Sequence, residues 1–160
     1  MQYIVSHPTT RLQSTHILKA TSLIQQIMGY IAGADGLSKA EIDLLVENQQ
    51  LLCSYSFTSK QATSNLELGA SFDDEQLSEA ITGYMEGCNV SIKDHKQHLV
   101  SSLYMTLCVA GSDGIGDKEI ARFNAVTLQM GFTKTESDRI LQTYNKECDL
   151  IASFNDLYSM

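Results

Sequence analysis

The sequence predicts an all-α protein: a single compact bundle of about seven helices containing an internally duplicated helix-turn-helix pair. Three observations predict it. Apolar residues recur at three- and four-residue spacing along nearly the whole chain, with no run of strict alternation to mark a strand. A single Pro among 160 residues leaves long helices uninterrupted. A short motif around Asp35 returns 78 residues later around Asp113, each time between two helical stripes. The length suits one domain, able to bury about 70% of the surface exposed by its unfolded chain. With 43% hydrophobic and 19% charged residues, the composition is globular rather than disordered.

Residues 1–16 read as a lead-in, 17–57 as the first half, 71–148 as the second half and 149–160 as a C-terminal tail. The connecting segment 58–70, from Thr58 to Ala70, is left open between a short helix and a loop, with Gly69 as its expected end. The first stripe runs through Ile17, Ala20, Ile24, Ile27 or Met28, and Ile31; the second through Ile42, Leu45, Val46, Leu52 and Cys53. Leu77, Ala80, Ile81 and Tyr84 mark a third helix, starting after Ser71 with Asp73, Asp74 and Glu75 in its first turn, where carboxylates complement the helix dipole. Leu99, Leu103, Leu107 and Ala110 form a fourth stripe, with Val90-Ser91-x-x-Asp94 as its start signal. A fifth helix spans 117–130 and stops at Gly131. Thr133-x-x-Glu136 is a capping box opening a sixth helix that carries Ile140, Leu141 and Tyr144. Beyond Cys148 the tail has room for one more short helix.

Charge and composition exclude several functions. A net charge of −8 and a pI near 4.8 leave no basic surface for phosphate, so nucleic acid is not an expected partner. The longest apolar stretches, 23–34 and 99–110, are shorter than the roughly 20 residues a bilayer requires, so no direct membrane insertion is expected. The first seven residues lack a basic region and an apolar core, which excludes a secretory signal and points to a cytoplasmic protein. Cys53, Cys88, Cys108 and Cys148 show no short metal-binding or redox spacing and read as reduced core residues. His95 and His98, three apart, share a helix face and with Asp94 form the one spacing that suits a metal-dependent enzyme; solvated surface histidines are the ordinary reading.

The repeat carries the functional signal. Ala32-Gly33-Ala34-Asp35-Gly36-Leu37-Ser38-Lys39-Ala40-Glu41-Ile42 aligns with Ala110-Gly111-Ser112-Asp113-Gly114-Ile115-Gly116-Asp117-Lys118-Glu119-Ile120. Much of it has a structural explanation. Gly36 and Gly114 suit the left-handed end of a helix, Leu37 and Ile115 fold back on the preceding turn, and Ser38 with Glu41 makes a capping box. In the second copy Gly116 replaces the capping Ser while Glu119 remains. Asp35 and Asp113 fit less well, because each sits at the carboxyl end of a helix, where a negative charge costs roughly 0.3–1 kcal/mol. Lys39 or Lys118, an Asx turn or a hard metal ion are the available compensations. An EF-hand is excluded: only four residues separate Gly36 from Glu41 where that loop needs five, and the second copy fails in the same way. No nucleophile elbow, P-loop or dinucleotide fingerprint is present, so the chain reads as a non-enzyme.

Two helices ending in Ala-x-x-Asp-Gly, each followed by a polar turn and a Glu-Ile helix start, resemble the TerB family of tellurite-resistance proteins and the related domain of a membrane-anchored bacterial co-chaperone. The residues carrying the resemblance are Ala32, Asp35, Gly36, Glu41 and Ile42, then Ala110, Asp113, Gly114, Glu119 and Ile120. The resemblance implies an all-helical domain of two pseudo-symmetric halves, binding a divalent cation (Ca, Zn, Mn or Mg) and no organic cofactor. It implies metal ligation by Asp35, Glu41, Asp113 and Glu119. It further implies a role in tellurite and chemical-stress resistance through protein partners in a metal-sensing complex, peripheral to the inner face of the membrane. Residues 58–70 do not align with the family pattern, and Gly116 stands where an acidic or hydroxyl residue is usual, with Asp117 next along. Tellurite is an anion and this chain is acidic, so resistance would be indirect. The alternative is a structural interaction domain whose acidic turns are only helix caps.

Overall fold

The computed structural model describes residues 18–52, 58–87, 96–111 and 114–160. These form seven α-helices and no strand: α1 Leu18–Ala32, α2 Lys39–Leu52, α3 Ser59–Ala70, α4 Asp74–Gly87, α5 Lys96–Ala110, α6 Asp117–Gln129 and α7 Lys134–Tyr158, with a 3-10 turn at Gly33–Asp35 after α1. The all-α fold class holds. None of the described helices is long and apolar enough to cross a membrane.

Helix α1 is central, packing against α3, α4, α5 and α6. Its Ile24, Ile27, Met28 and Ile31 are buried, as are Leu77, Ile81 and Tyr84 of α4, Leu99, Leu103 and Leu107 of α5, and Phe123 and Val126 of α6. The α1–α3 crossing is the tightest. A Cβ on Gly29 would overlap the backbone of Leu66, and one on Gly69 would overlap the backbone of Gln26. This explains the segment left open in the sequence. Residues 59–70 bury mainly Ala62 and Leu66, a narrow stripe, but two glycines let α3 lie directly on α1. Asn65 completes the contact, its Nδ2 donating to the buried Gln25 Oε1 at 2.5 Å. Gly69 lies inside α3, one residue before its last, rather than ending it.

Local start signals operate as expected. The Glu41 N–H donates to Ser38 Oγ at 3.1 Å and the Ser38 N–H to Glu41 Oε2 at 2.8 Å. Thr133 and Glu136 make the same reciprocal pair at 3.2 and 2.9 Å. At α4, Asp73 is the cap rather than a first-turn residue, accepting from the Gln76 N–H at 2.8 Å. The Val90-Ser91-x-x-Asp94 signal and His95 lie outside the described residues, as does the His98 side chain.

Three expectations are corrected in detail. The tail holds no separate helix: α7 runs unbroken for 25 residues to Tyr158, because no Gly or Pro interrupts 134–158. Gly36 is not left-handed helical but has φ 103° and ψ 146°, a region essentially confined to glycine. The reading of Cys148 as a core residue fails, since its thiol is exposed; Cys108 is half-buried, and Cys53 and Cys88 lie outside the described residues.

Candidate functional site

The two acidic turns meet. The first follows α1, where Gly33 carries no side chain because Ala70 of α3 lies against it, and Leu37 covers it from the other side. The second follows α5, where Gly111 is overlaid by the Tyr144 hydroxyl of α7 and approached by Ile115. The repeated Gly therefore has a packing reason in each copy, with a different neighbour. Gly36 and Gly114 both take positive φ, at 103° and 98°. Leu37 and Ile115 then fold back onto the core, and α2 and α6 depart with Glu41 and Glu119 in their first turns.

Both glutamates are buried, at 0% and 1% exposure, which is unusual for carboxylates and demands compensation. Glu41 Oε2 accepts the Ser38 N–H, and Glu119 Oε2 accepts the Gly116 N–H at 2.6 Å. The other oxygen of Glu119, Oε1, is buried without a hydrogen-bond partner. Asp35, itself exposed, brings its carboxylate to the same open side of Gly116 as Glu119: a Cβ on Gly116 would stand 3.7 Å from Glu119 Oε2 and 3.8 Å from Asp35 Oδ2. Glu41 is close enough to add its charge to the same point.

Three carboxylates from two halves of the sequence therefore converge on one junction. Burial is the main influence on Glu119, and together with the Asp35 and Glu41 charges and the hydrogen bond to Asp35 it pushes the Glu119 carboxyl up to about 7, against the opposing pull of the Gly116 N–H. Lys39 does not neutralise Asp35; its Nζ reaches forward to Asp43 at 2.8 Å. Arg122, one turn beyond Glu119, is engaged by α1: its guanidinium lies 4.4 Å from the Tyr30 ring centroid and donates to the Tyr30 carbonyl at 2.5 Å. That contact ties α6 to the end of α1 beside the junction.

Of the four proposed ligands, Asp35, Glu41 and Glu119 thus share one locality, and Asp113 lies outside the described residues. Among the described residues no group of three or more His, Cys, Asp or Glu side chains stands ready to hold a metal ion. The carboxylate pair Asp35 and Glu119 is the most concentrated acidic feature of the junction. Spacing along the chain could not show that these turns are neighbours, nor that Gly116 and Arg122 border them. No protein-family model, curated protein or solved structure matches the chain.

Proposed function

We propose that the chain is a non-enzymatic, cation-responsive module of the TerB-like kind, acting through protein partners in resistance to chemical stress. One observation carries the reading: Glu119, buried and with Oε1 unpartnered, faces Asp35 from the other copy of the repeat. Two carboxylates forced together in a partly dry junction repel unless they share a proton or a cation. Carboxylate oxygens are hard ligands suited to calcium, magnesium or manganese, and magnesium in particular is commonly held by one or two carboxylates with several waters completing its shell. Asp35 and Glu119 would hold the ion, Glu41 would add charge from behind, and Asp113 is the remaining acidic residue of the motif.

Because the two carboxylates belong to the ends of different helix pairs, an ion between them would couple the α1–α2 turn to the α5–α6 turn. Cation occupancy would then change the stability of that junction, and partner recognition could follow it. The test is thermal unfolding of chelator-treated protein with and without millimolar calcium, magnesium, manganese or zinc. A saturable rise in midpoint that disappears in Asp35→Asn/Glu119→Gln supports the reading. An identical midpoint with every cation refutes it.

The second reading, a purely structural interaction domain, is favoured by the reciprocal bonds of both glutamates to the helix starts at Ser38 and Gly116. It predicts that Glu41→Ala costs about 1 kcal/mol through lost capping, with no ion dependence.

A further inference from the structure

Two thiols that the acidic junction does not use meet where α7 packs on α5. Tyr144 marks the contact: its ring stands edge-on to Tyr104, 6.0 Å between centroids, and its hydroxyl lies over Gly111. Tyr104 is one turn before Cys108 in α5 and Gly111 one turn after it, so Tyr144 crosses α5 at the level of Cys108. Cys148 stands one turn beyond Tyr144 on α7, and its thiol hydrogen-bonds the Tyr144 hydroxyl. The two cysteines differ in access. Cys148 is exposed, while Cys108 is half-buried, and burial, with a smaller contribution from Cys148, pushes its thiol up to about 12.

We propose that Cys108 and Cys148 close a reversible disulfide when the protein meets a peroxide, latching α7 to the end of α5. Access sets the order of events. The exposed Cys148 thiolate attacks one peroxide oxygen; an S–O bond forms, the O–O bond breaks, and the departing oxygen takes a proton and leaves as water, with a sulfenic acid at Cys148. Cys108 then attacks the Cys148 sulfur; the S–S bond forms, the S–O bond breaks, and hydroxide leaves with the Cys108 proton as a second water. Two thiols lose two electrons and two protons, and hydrogen peroxide takes up both to give two waters. Burial favours the product, because a disulfide carries no charge where a Cys108 thiolate would. It also slows reversal, since an outside thiol attacking the exposed Cys148 sulfur must expel Cys108, whose high pKa makes it a poor leaving group. The closed loop runs from residue 108 to residue 148 and encloses the second acidic turn and the whole of α6, so the latch restrains the segment that carries Glu119.

The experiment treats the full, reduced chain with a modest excess of hydrogen peroxide in chelator-containing buffer, blocks remaining thiols by alkylation, and maps the digest by mass without reduction. The expected product is a monomer in which the peptides of Cys108 and Cys148 are joined with the loss of two hydrogens, and dithiothreitol restores the free thiols. The oxidised chain should unfold about 5–10 °C higher than the reduced one, and Cys148→Ser should abolish both the link and the shift. In Cys108→Ala the sulfenic acid has no partner, so dimedone should label Cys148 at least about tenfold more than in the wild type. Wild-type protein that yields no link between 108 and 148 overturns the proposal. So does a link from Cys148 to Cys53, to Cys88 or to a second chain in its place, or equal dimedone labelling of wild type and Cys108→Ala. With chelator present throughout, the result does not depend on cation binding.

Discussion

Replacing Glu119 by Gln should make the cation-free protein more stable at alkaline pH, although it removes a buried charged residue. In the unfolded chain this carboxyl ionises near 4.5, while the folded protein holds its proton up to about 7. Below 4.5 both states are protonated and the environment costs nothing. Between 4.5 and 7 only the unfolded chain releases the proton, so rising pH favours unfolding; above 7 the penalty is complete. The difference corresponds to about 3 kcal/mol as an upper figure. A Gln carbonyl can still accept the Gly116 N–H, so the variant keeps the bond at the start of α6. The gain expected at pH 8 is therefore about 1–3 kcal/mol, falling to within about 0.5 kcal/mol at pH 4.5. Urea unfolding of both proteins in chelator-containing buffer, at several values between pH 4.5 and 8, measures it. A stability difference that does not change with pH refutes the reasoning, as does a wild type that exceeds the variant at pH 8.

Other consequences follow from the same geometry. Gly69→Ala should cost about 3 kcal/mol or more, because its Cβ meets the backbone of Gln26 rather than a movable side chain; the unfolding midpoint reports it, and a neutral result would mean that α1 and α3 lie further apart. Gly36→Ala meets nothing within 4 Å yet should still cost about 1–3 kcal/mol through its positive φ alone. Gly116→Ser has the reverse expectation: φ −89° and ordinary contact distances tolerate a side chain, and the added hydroxyl should gain a few tenths of a kcal/mol by capping α6, read in the same unfolding assay.

Helices whose apolar stripe is broad were legible before any coordinates. Leu99, Leu103, Leu107 and Ala110 are all buried, as the spacing of α5 demands, and the Ser38–Glu41 and Thr133–Glu136 boxes mark true helix starts. The region around α3 was not legible, for a physical reason. Its contact with α1 comes from the absence of side chains at Gly29 and Gly69, and glycine in a helical pattern reads as a break. The length of α7 was missed because its second half carries the apolar period without burying it. For the candidate site, the sequence marked Asp35 and Asp113 as badly placed against the helix dipole and Glu41 and Glu119 as caps. That Glu41 and Glu119 are both buried, and that Asp35 and Glu119 meet beside Gly116, depends on how α6 settles against the end of α1, which no local pattern encodes.

The central claim is that the two turns make one acidic site rather than two. Calorimetric titration of calcium, then magnesium and manganese, into chelator-treated protein tests it by counting. The account predicts one cation per chain, with binding lost when either Asp35→Asn or Glu119→Gln is introduced alone, since each turn supplies half of the site. Two cations per chain, a site that survives either single change, or no binding at millimolar cation would contradict it.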